Sequence, residues 1–247
     1  MSSPRRPLSL APSPLSLAMS ELRSVLYSNF QESGRMSDSR ARPQNTMSPG
    51  LGQESQGMDL GPLERSLAGT TLAPYIVKAM AMIDRPRKAG SNMFRHQMST
   101  LAILLDYKIV DPVLLKASII HDLFEELGDQ PWVTRETIAS IDADGPAVYD
   151  LVMEVTIRKV GGAPEPKAEY LRRIMQTGSD RAKKLKLADR ISNLIGLGFV
   201  TDRAFVERYT AQTRDCILPY SEAVNPDMHR ELKDLVQNRT AQLERLR

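Results

Sequence analysis

Residues 119–129 read IIHDLFEELGD and place one of the chain's three histidines beside an aspartate, ahead of two glutamates. The apolar run before this pair predicts a helix over residues 112–127. Asp111 followed by Pro112 is typical of a helix start, because the aspartate can cap the free N–H groups and proline needs no donor there. Gly128 is typical of a helix end.

The polar residues of this predicted helix share one side. At helical spacing, His121, Asp122, Glu125 and Glu126 fall on one arc of about 140°. The pattern therefore predicts a helix that buries its apolar face and presents an imidazole and three carboxylates on the other. Carboxylates this close repel one another unless a cation lies among them. A solvated acidic face is the alternative interpretation.

The rest of the chain favours helices and shows no alternating strand pattern. Helices are predicted over residues 72–83, 94–107, 135–141, 146–157, 167–176, 180–197, 204–220 and 227–246. The predicted fold class is all-α. Residues 1–58 are rich in Ser, Pro, Gly, Arg and Gln, which predicts a disordered tail without chemistry, followed by one domain over residues 59–247.

Two further residues offer metal ligands. His96 lies on the predicted helix before the one that contains His121, so antiparallel packing would bring the two rings together. Asp189 is a lone acid in KKLKLADRISNL, and Lys186 and Asn193 share its helical face. Two imidazoles and two carboxylates form a mixed N/O set that suits Mn²⁺, Fe²⁺, Zn²⁺ or Mg²⁺. Unrelated polar positions are the alternative.

Composition restricts the possible partners and the compartment. Lys and Arg number 33 against 30 for Asp and Glu, a net charge of +3 that is too balanced to indicate nucleic acid. The single cysteine, Cys216, excludes a disulfide within the chain and fits a reducing compartment, so we expect a cytoplasmic protein. No apolar run approaches the roughly 20 residues of a membrane span.

Four motifs, in this order along the chain, resemble the HD-domain phosphohydrolases, and specifically the RelA/SpoT-type alarmone hydrolase domain. They are RKAGSNMFRHQMSTLAILL, IIHDLFEELGD, VMEVTIRK and KLKLADRISNLIGL. The resemblance extends from about Ala73 to the C-terminus. It implies an HD-domain helical bundle that removes the 3′-pyrophosphate from (p)ppGpp in the stringent response, usually with Mn²⁺.

The resemblance also implies roles for individual residues. The implied metal ligands are His96, His121, Asp122 and Asp189. Glu125 and Glu126 stand where the family keeps its catalytic acidic pair. Arg87 and Lys88 match a basic pair that contacts the nucleotide, Asn193 matches a substrate-contacting asparagine, and Tyr209 matches a tyrosine near the base pocket. By charge alone, Lys186 is a further candidate for binding the anionic substrate, as are Arg95 and Arg158.

Two departures from the family pattern stand out. Glu126 replaces the usual aspartate, and its extra methylene alters the reach of the carboxylate. Gln97 replaces a proline after the first histidine, where we expect only a local backbone effect. No synthetase domain is expected after the hydrolase domain, so the sequence predicts a stand-alone hydrolase.

Three other functions stay open at this point. The domain could hydrolyse another phosphorylated nucleotide such as NADPH, because the motifs discriminate poorly among substrates. It could bind a nucleotide without turnover, for which the Glu126 departure is the main support. A DNA-binding helical module has only the slight positive charge and the basic tail in its favour. The sequence does not indicate an oligomeric state.

Overall fold

The structure, a computed structural model, describes residues 61–245, and in this range the predicted all-α class is confirmed. In chain order the first helices are α1 (Gly61–Ala68), α2 (Ala73–Met80), α3 (Met93–Asp106), α4 (Pro112–Ile120), α5 (Leu123–Leu127), α6 (Arg135–Ala139) and α7 (Gly145–Val155). A hairpin follows, with β1 (Lys159–Val160) antiparallel to β2 (Ala163–Pro164). The remaining helices are α8 (Lys167–Thr177), α9 (Asp180–Gly196), the 3₁₀ turn Leu197–Phe199, α10 (Arg203–Cys216), α11 (Leu218–Val224) and α12 (Pro226–Arg245). The predicted tail, residues 1–58, lies outside the described residues.

Side-chain caps fix where the site-bearing helices begin. Asp111 accepts a hydrogen bond from Leu114 N and is followed by Pro112, as the sequence predicts. Asn92 caps α3 in the same way, and Ser179 caps α9 through Ala182 N. These caps satisfy free N–H groups of the first turn and so set the register of each helix.

Helices α4 and α9 form the centre of the bundle. Every residue of α4 from Val113 to Ile120 is buried. Helix α9 contacts α3, α4, α7, α8, α11 and α12. It buries not only leucines but also Lys186, Asp189, Arg190 and Ser192. Buried polar groups need partners, so we expect a functional site beside this helix.

The predicted helix over residues 112–127 is wrong in one respect, because it is interrupted. Helix α4 ends at Ile120, a turn contains His121 and Asp122, and α5 begins at Leu123. Helix α4 is buried on all sides rather than on one face, so it cannot present a polar face itself. The turn supplies that face, because Asp122 adopts φ −96° and ψ 0° and leaves the helical path of α4.

Other differences from the prediction are smaller. Helix α1 is not predicted, and the predicted helix over residues 204–220 divides at Ile217 into α10 and α11. Pro219 falls in the first turn of α11, where its missing N–H is tolerated. Cys216 is buried. Within residues 61–245 no helix is both long and apolar enough to cross a membrane.

A tight loop before α3 presents Arg87 and Lys88. Met93 N donates to Arg85 O, and Arg87 N donates to Ser91 O, which closes the loop. Gly90 and Ser91 have φ values of 78° and 65°. Glycine accepts such a value at no steric cost, so Gly90 lets the chain reverse here.

The hairpin, which lies between two predicted helices, is anchored by one ion pair. Glu165 accepts hydrogen bonds from Arg173 at 2.6 and 3.1 Å and from Arg158 N at 2.8 Å. Arg173 also donates to Glu154 O and Thr156 O, at the end of α7. The pair is largely shielded, with side chains 16% and 8% exposed. It ties the hairpin to α7 and α8.

We expect Glu165→Gln to lower the free energy of unfolding by about 2 kcal/mol at neutral pH, because it leaves the Arg173 charge without its partner. Arg173 lowers the pKa of Glu165 in the folded protein. The contribution of the pair is therefore present above the unfolded pKa and is lost as pH falls through the folded pKa. Urea denaturation of both proteins at neutral and acid pH measures this difference.

The control is Asp150→Asn, which removes an exposed ion pair with Arg135 in which the side chains are 57% and 65% exposed. Exposed pairs contribute little, so its stability should match that of the wild type. A Glu165→Gln variant as stable as this control would contradict the anchoring role.

Candidate metal centre

Two imidazoles and two carboxylates meet where α9 packs against α3 and the turn after α4. His96 Nε2 lies 3.1 Å from Asp189 Oδ1 and 3.5 Å from Asp122 Oδ2. His121 Nε2 lies 3.2 Å from Asp122 Oδ2 and 3.8 Å from Asp189 Oδ1. Ligand atoms of His96, His121 and Asp189 all lie within 4.8 Å of one another. The structure thus brings together the four residues that the sequence singles out as metal ligands.

Both rings are oriented by bonds on their far side. His121 Nδ1 lies 2.8 Å from Ser118 O, which can only accept, so Nδ1 carries a proton and donates it to that carbonyl. His121 Nε2 is buried and has no hydrogen-bond partner in the described part of the chain. His96 Nδ1 pairs with Ser192 Oγ at 2.9 Å. Fixing one ring nitrogen so that the other faces a common point is the usual arrangement of metal-binding histidines.

The two carboxylates are held as firmly as the rings. Asp189 accepts from Lys186 Nζ at 2.9 Å and from Asn193 Nδ2, and Lys186 Nζ also contacts Tyr170 OH at 2.6 Å. Asp122 accepts from Gln97 Nε2 at 2.9 Å. Gln97 is fully buried, so its effect is not the local backbone one that the sequence suggests. It fixes a candidate ligand.

The electrostatics of the cluster favour a cation. Burial lowers the pKa of His96, whereas at His121 the charges of Asp122 and Asp189 outweigh burial and raise the pKa. Burial acts to raise the pKa of Asp189, but Lys186 and the two histidines hold it well below its usual value. The carboxylates therefore stay charged and attract positive charge to the point between the rings. A divalent ion satisfies that demand and the orphaned His121 nitrogen together.

One cavity of 480 Å³ opens onto the cluster. Ten of the eleven predicted site residues line it, and the buried His121 lies behind Asp122. The predicted residues in its wall are Arg87, Lys88, His96, Asp122, Glu125, Glu126, Lys186, Asp189, Asn193 and Tyr209. Arg95 and Arg158 lie outside this wall. One cavity thus combines a candidate metal centre with several cationic side chains.

The two candidate catalytic glutamates lie between this cavity and a neighbouring one of 580 Å³. Glu125 accepts a hydrogen bond from Ile157 N at 2.9 Å, which fixes one oxygen. Partial burial and the charge of Asp122 raise the pKa of Glu125, and the same two causes raise the pKa of Glu126. A carboxylate with a raised pKa beside a metal centre is suited to exchanging protons with a reacting group.

Some predicted substrate-binding residues also brace the centre. Arg87 donates to Asn193 Oδ1, and Asn193 in turn donates to Asp189. Lys186 is 4% exposed and its ammonium group is bonded to Asp189 and Tyr170, so it supports a ligand in addition to lining the cavity. Lys88 Nζ lies 5.5 Å from the centre of the Phe205 ring at the cavity wall.

Sequence reasoning missed several residues of the site. Ser192, Gln97 and Tyr170 hold site side chains in place, and Lys167 and Arg190 line the cavity. Ser192 had a detectable signal, because it lies three residues after Asp189 on the same helix. The others become neighbours of the centre only through packing between helices.

No protein-family model matches the chain, and no curated protein matches it. One solved structure that does match is described as a metazoan ortholog of SpoT that hydrolyzes ppGpp and plays a role in starvation responses. Its TM-score is 0.56 and its sequence identity 22%, over 68% of this chain and 94% of that chain. The chain has the fold of the HD-domain (p)ppGpp hydrolases.

Within this HD-type fold, the likeness establishes the arrangement of helices, and the roles of individual residues have to be argued from geometry. The HD pair, His121 and Asp122, lies in the turn between α4 and α5. His96 comes from α3 and Asp189 from α9. Three separate segments of the HD-type bundle therefore supply the candidate ligands.

We expect Gln97→Met to weaken metal binding about tenfold, because methionine fills the same space but cannot donate to Asp122. Isothermal titration of the metal-stripped protein with Mn²⁺ measures the affinity, and circular dichroism checks the fold. Ser99→Ala, which removes a hydroxyl bonded to Arg95 O on the exposed side of α3, should bind metal like the wild type. Equal affinities for Gln97→Met and Ser99→Ala would show that Gln97 does not orient the ligand.

Proposed function

We propose that the protein is a metal-dependent phosphohydrolase that removes the 3′-pyrophosphate from (p)ppGpp, with Mn²⁺ as the metal. The observation that supports this most directly is the convergence of two imidazole nitrogens and two carboxylates beside two glutamates, in a cavity lined by cations. A hydrolase domain over residues 59–247, a cytoplasmic location and a part in the stringent response accompany this proposal through the family resemblance.

The donor set fits a divalent first-row ion. In the proposed site His96, His121, Asp122 and Asp189 hold the ion, which supplies Lewis-acid chemistry by lowering the pKa of water and drawing charge from phosphoryl oxygens. Ser118, Ser192 and Gln97 keep three of these ligands in orientation before the ion arrives. Pre-orientation of this kind reduces the cost of reorganisation during the reaction.

Glu125 is the proposed general base. One oxygen of Glu125 accepts a hydrogen bond from Ile157 N. This backbone contact limits the orientation of the carboxylate and so also the position of its second oxygen. Its raised pKa makes it a better proton acceptor than an ordinary carboxylate. Glu126 has no fixed partner among the described residues and is proposed to assist Glu125 or to orient the leaving oxygen. At this position the family usually has an aspartate, and the side chain of Glu126 is one methylene longer.

The cavity wall suits a polyanionic nucleotide. Arg87 and Lys88 are brought to the cavity by the loop before α3, and they are proposed to contact phosphates or the base. Asn193 and Tyr209 are proposed to contact the sugar and the base. Arginine and lysine are the residues that neutralise phosphate, whereas an apolar substrate would have no use for them here.

We expect Glu125→Gln to reduce kcat by at least about a hundredfold, because the amide accepts the Ile157 hydrogen bond but cannot take a proton. Its Mn²⁺ content should equal that of the wild type. The measurement is pyrophosphate release from ppGpp and pppGpp by the Mn²⁺-loaded protein. Glu169→Gln, which alters an exposed glutamate at the start of α8, is the control and should retain full activity.

A substrate panel separates the remaining alternatives. If NADPH or another nucleotide is cleaved and ppGpp is not, the phosphohydrolase stands and the proposed substrate is wrong. If the metal-loaded protein binds ppGpp but cleaves none of the nucleotides, the domain is an inactive nucleotide-binding one. Wild-type activity in Glu125→Gln would remove that residue from the proposed mechanism.

A further inference from the structure

Arg190 is a buried cation without a counter-ion. Its side chain belongs to α9 and is only 2% exposed. The guanidinium lies 4.1 Å from the centre of the Tyr209 ring. Its Nη1 has no hydrogen-bond partner, and no carboxylate in residues 61–245 forms an ion pair with it. An arginine cannot discharge itself by losing a proton, so this charge is costly to bury.

Two other shielded cations of the fold, in contrast to Arg190, have hydrogen-bond partners. Lys186 is bonded to Asp189 and Tyr170, and the half-buried Arg173 is bonded to Glu165 and two backbone carbonyls. The contact with the Tyr209 ring does not satisfy the N–H groups of the Arg190 guanidinium. The unpaired arginine also lines the 480 Å³ cavity. A donor left free at a cavity wall points to a ligand that accepts.

The surroundings favour an anion as that ligand. Lys167, an exposed residue at the start of α8, lines the same cavity and adds a further positive charge to its wall. Arginine presents parallel N–H groups that match two oxygens of one phosphate. The acids of the cavity, by contrast, are gathered at the metal centre.

We infer that Arg190, whose guanidinium lies against the Tyr209 ring, binds a phosphate group of the nucleotide other than the one at the metal centre, and so selects substrates phosphorylated at two positions. This inference rests on the proposed function for its substrate class. It adds a specificity residue that neither the motif pattern nor the ligand geometry assigns. In ppGpp the second group is the 5′-diphosphate, which is not cleaved.

The test uses binding rather than turnover, so that it does not depend on hydrolysis. The probes are GDP, which contains the 5′-diphosphate but lacks a 3′ group, and guanosine, which lacks both. Isothermal titration of the full-length Mn²⁺-loaded protein measures each affinity. We expect Arg190→Met to weaken GDP binding by ten- to a hundredfold, the loss typical of a charge-assisted hydrogen bond. Guanosine binding should be unchanged.

Arg190→Lys keeps the charge but loses the two-pronged donor, so we expect it to weaken GDP binding by a smaller factor, about fivefold. Arg208→Met removes an exposed arginine of α10, next to Tyr209 in sequence, and should bind GDP like the wild type.

Thermal melting distinguishes a binding role from a structural one. A structural arginine would lower Tm when removed, whereas removal of an unpaired buried cation should leave Tm unchanged or raise it. GDP should raise the Tm of the wild type more than that of Arg190→Met. Equal GDP affinity in the two proteins, an equal loss for guanosine, or a lower Tm of the variant without nucleotide would overturn the inference. Because none of these readouts requires catalysis, an inactive protein would refute the proposed hydrolysis and leave this test in force.

Discussion

The contact between Asp189 and the two histidines is the constraint on which the rest of the site depends. Asp189 is 8% exposed and lies in the middle of a helix that six other helices surround. A carboxylate in that position must be compensated, and the fold supplies Lys186, Asn193 and His96 around it. These partners do not neutralise the site fully. Between the rings of the two histidines and the carboxylates of Asp122 and Asp189, a positive charge is still favoured.

The turn at His121 and Asp122 is what makes that point accessible. Helix α4 is buried from Val113 to Ile120, so its position in the bundle is fixed by packing on every side. When the chain leaves the helix at Ile120, His121 stays inside and Asp122 turns toward His96 and the cavity. The two side chains of this turn therefore reach the same centre, with His121 Nε2 3.2 Å from Asp122 Oδ2.

A second level of contacts holds Glu125 in position beside the centre. Glu125 is bonded to Ile157 N, and Ile157 lies in the segment that the Glu165–Arg173 pair ties to α7 and α8. The hairpin, although two residues per strand, thus contributes to the position of a candidate base. Stability of the fold and geometry of the site are linked through this segment.

The sequence by itself determined what depends on neighbours along the chain. Helical periodicity, the Asp111 cap and the helix stop near Gly128 are local, and so the all-α class and most helix positions follow from them. Residue chemistry and order along the chain also identified His96, His121, Asp122 and Asp189 as one candidate set. Only the family resemblance, however, distinguished Glu125 and Glu126 as catalytic residues.

The tertiary structure decided which polar groups meet across large separations. His96 and Asp189 are 93 residues apart, and Gln97 and Asp122 are 25 apart. Whether such groups pair depends on how helices pack, which no local pattern encodes. The same holds for Arg190, because its lack of an ion-pair partner among the described residues depends on which side chains the neighbouring helices place beside it. The sequence identifies the donors and the acceptors. The packing of the helices decides which of them pair, because a buried charged group can bond only to the side chains that the neighbouring helix places beside it.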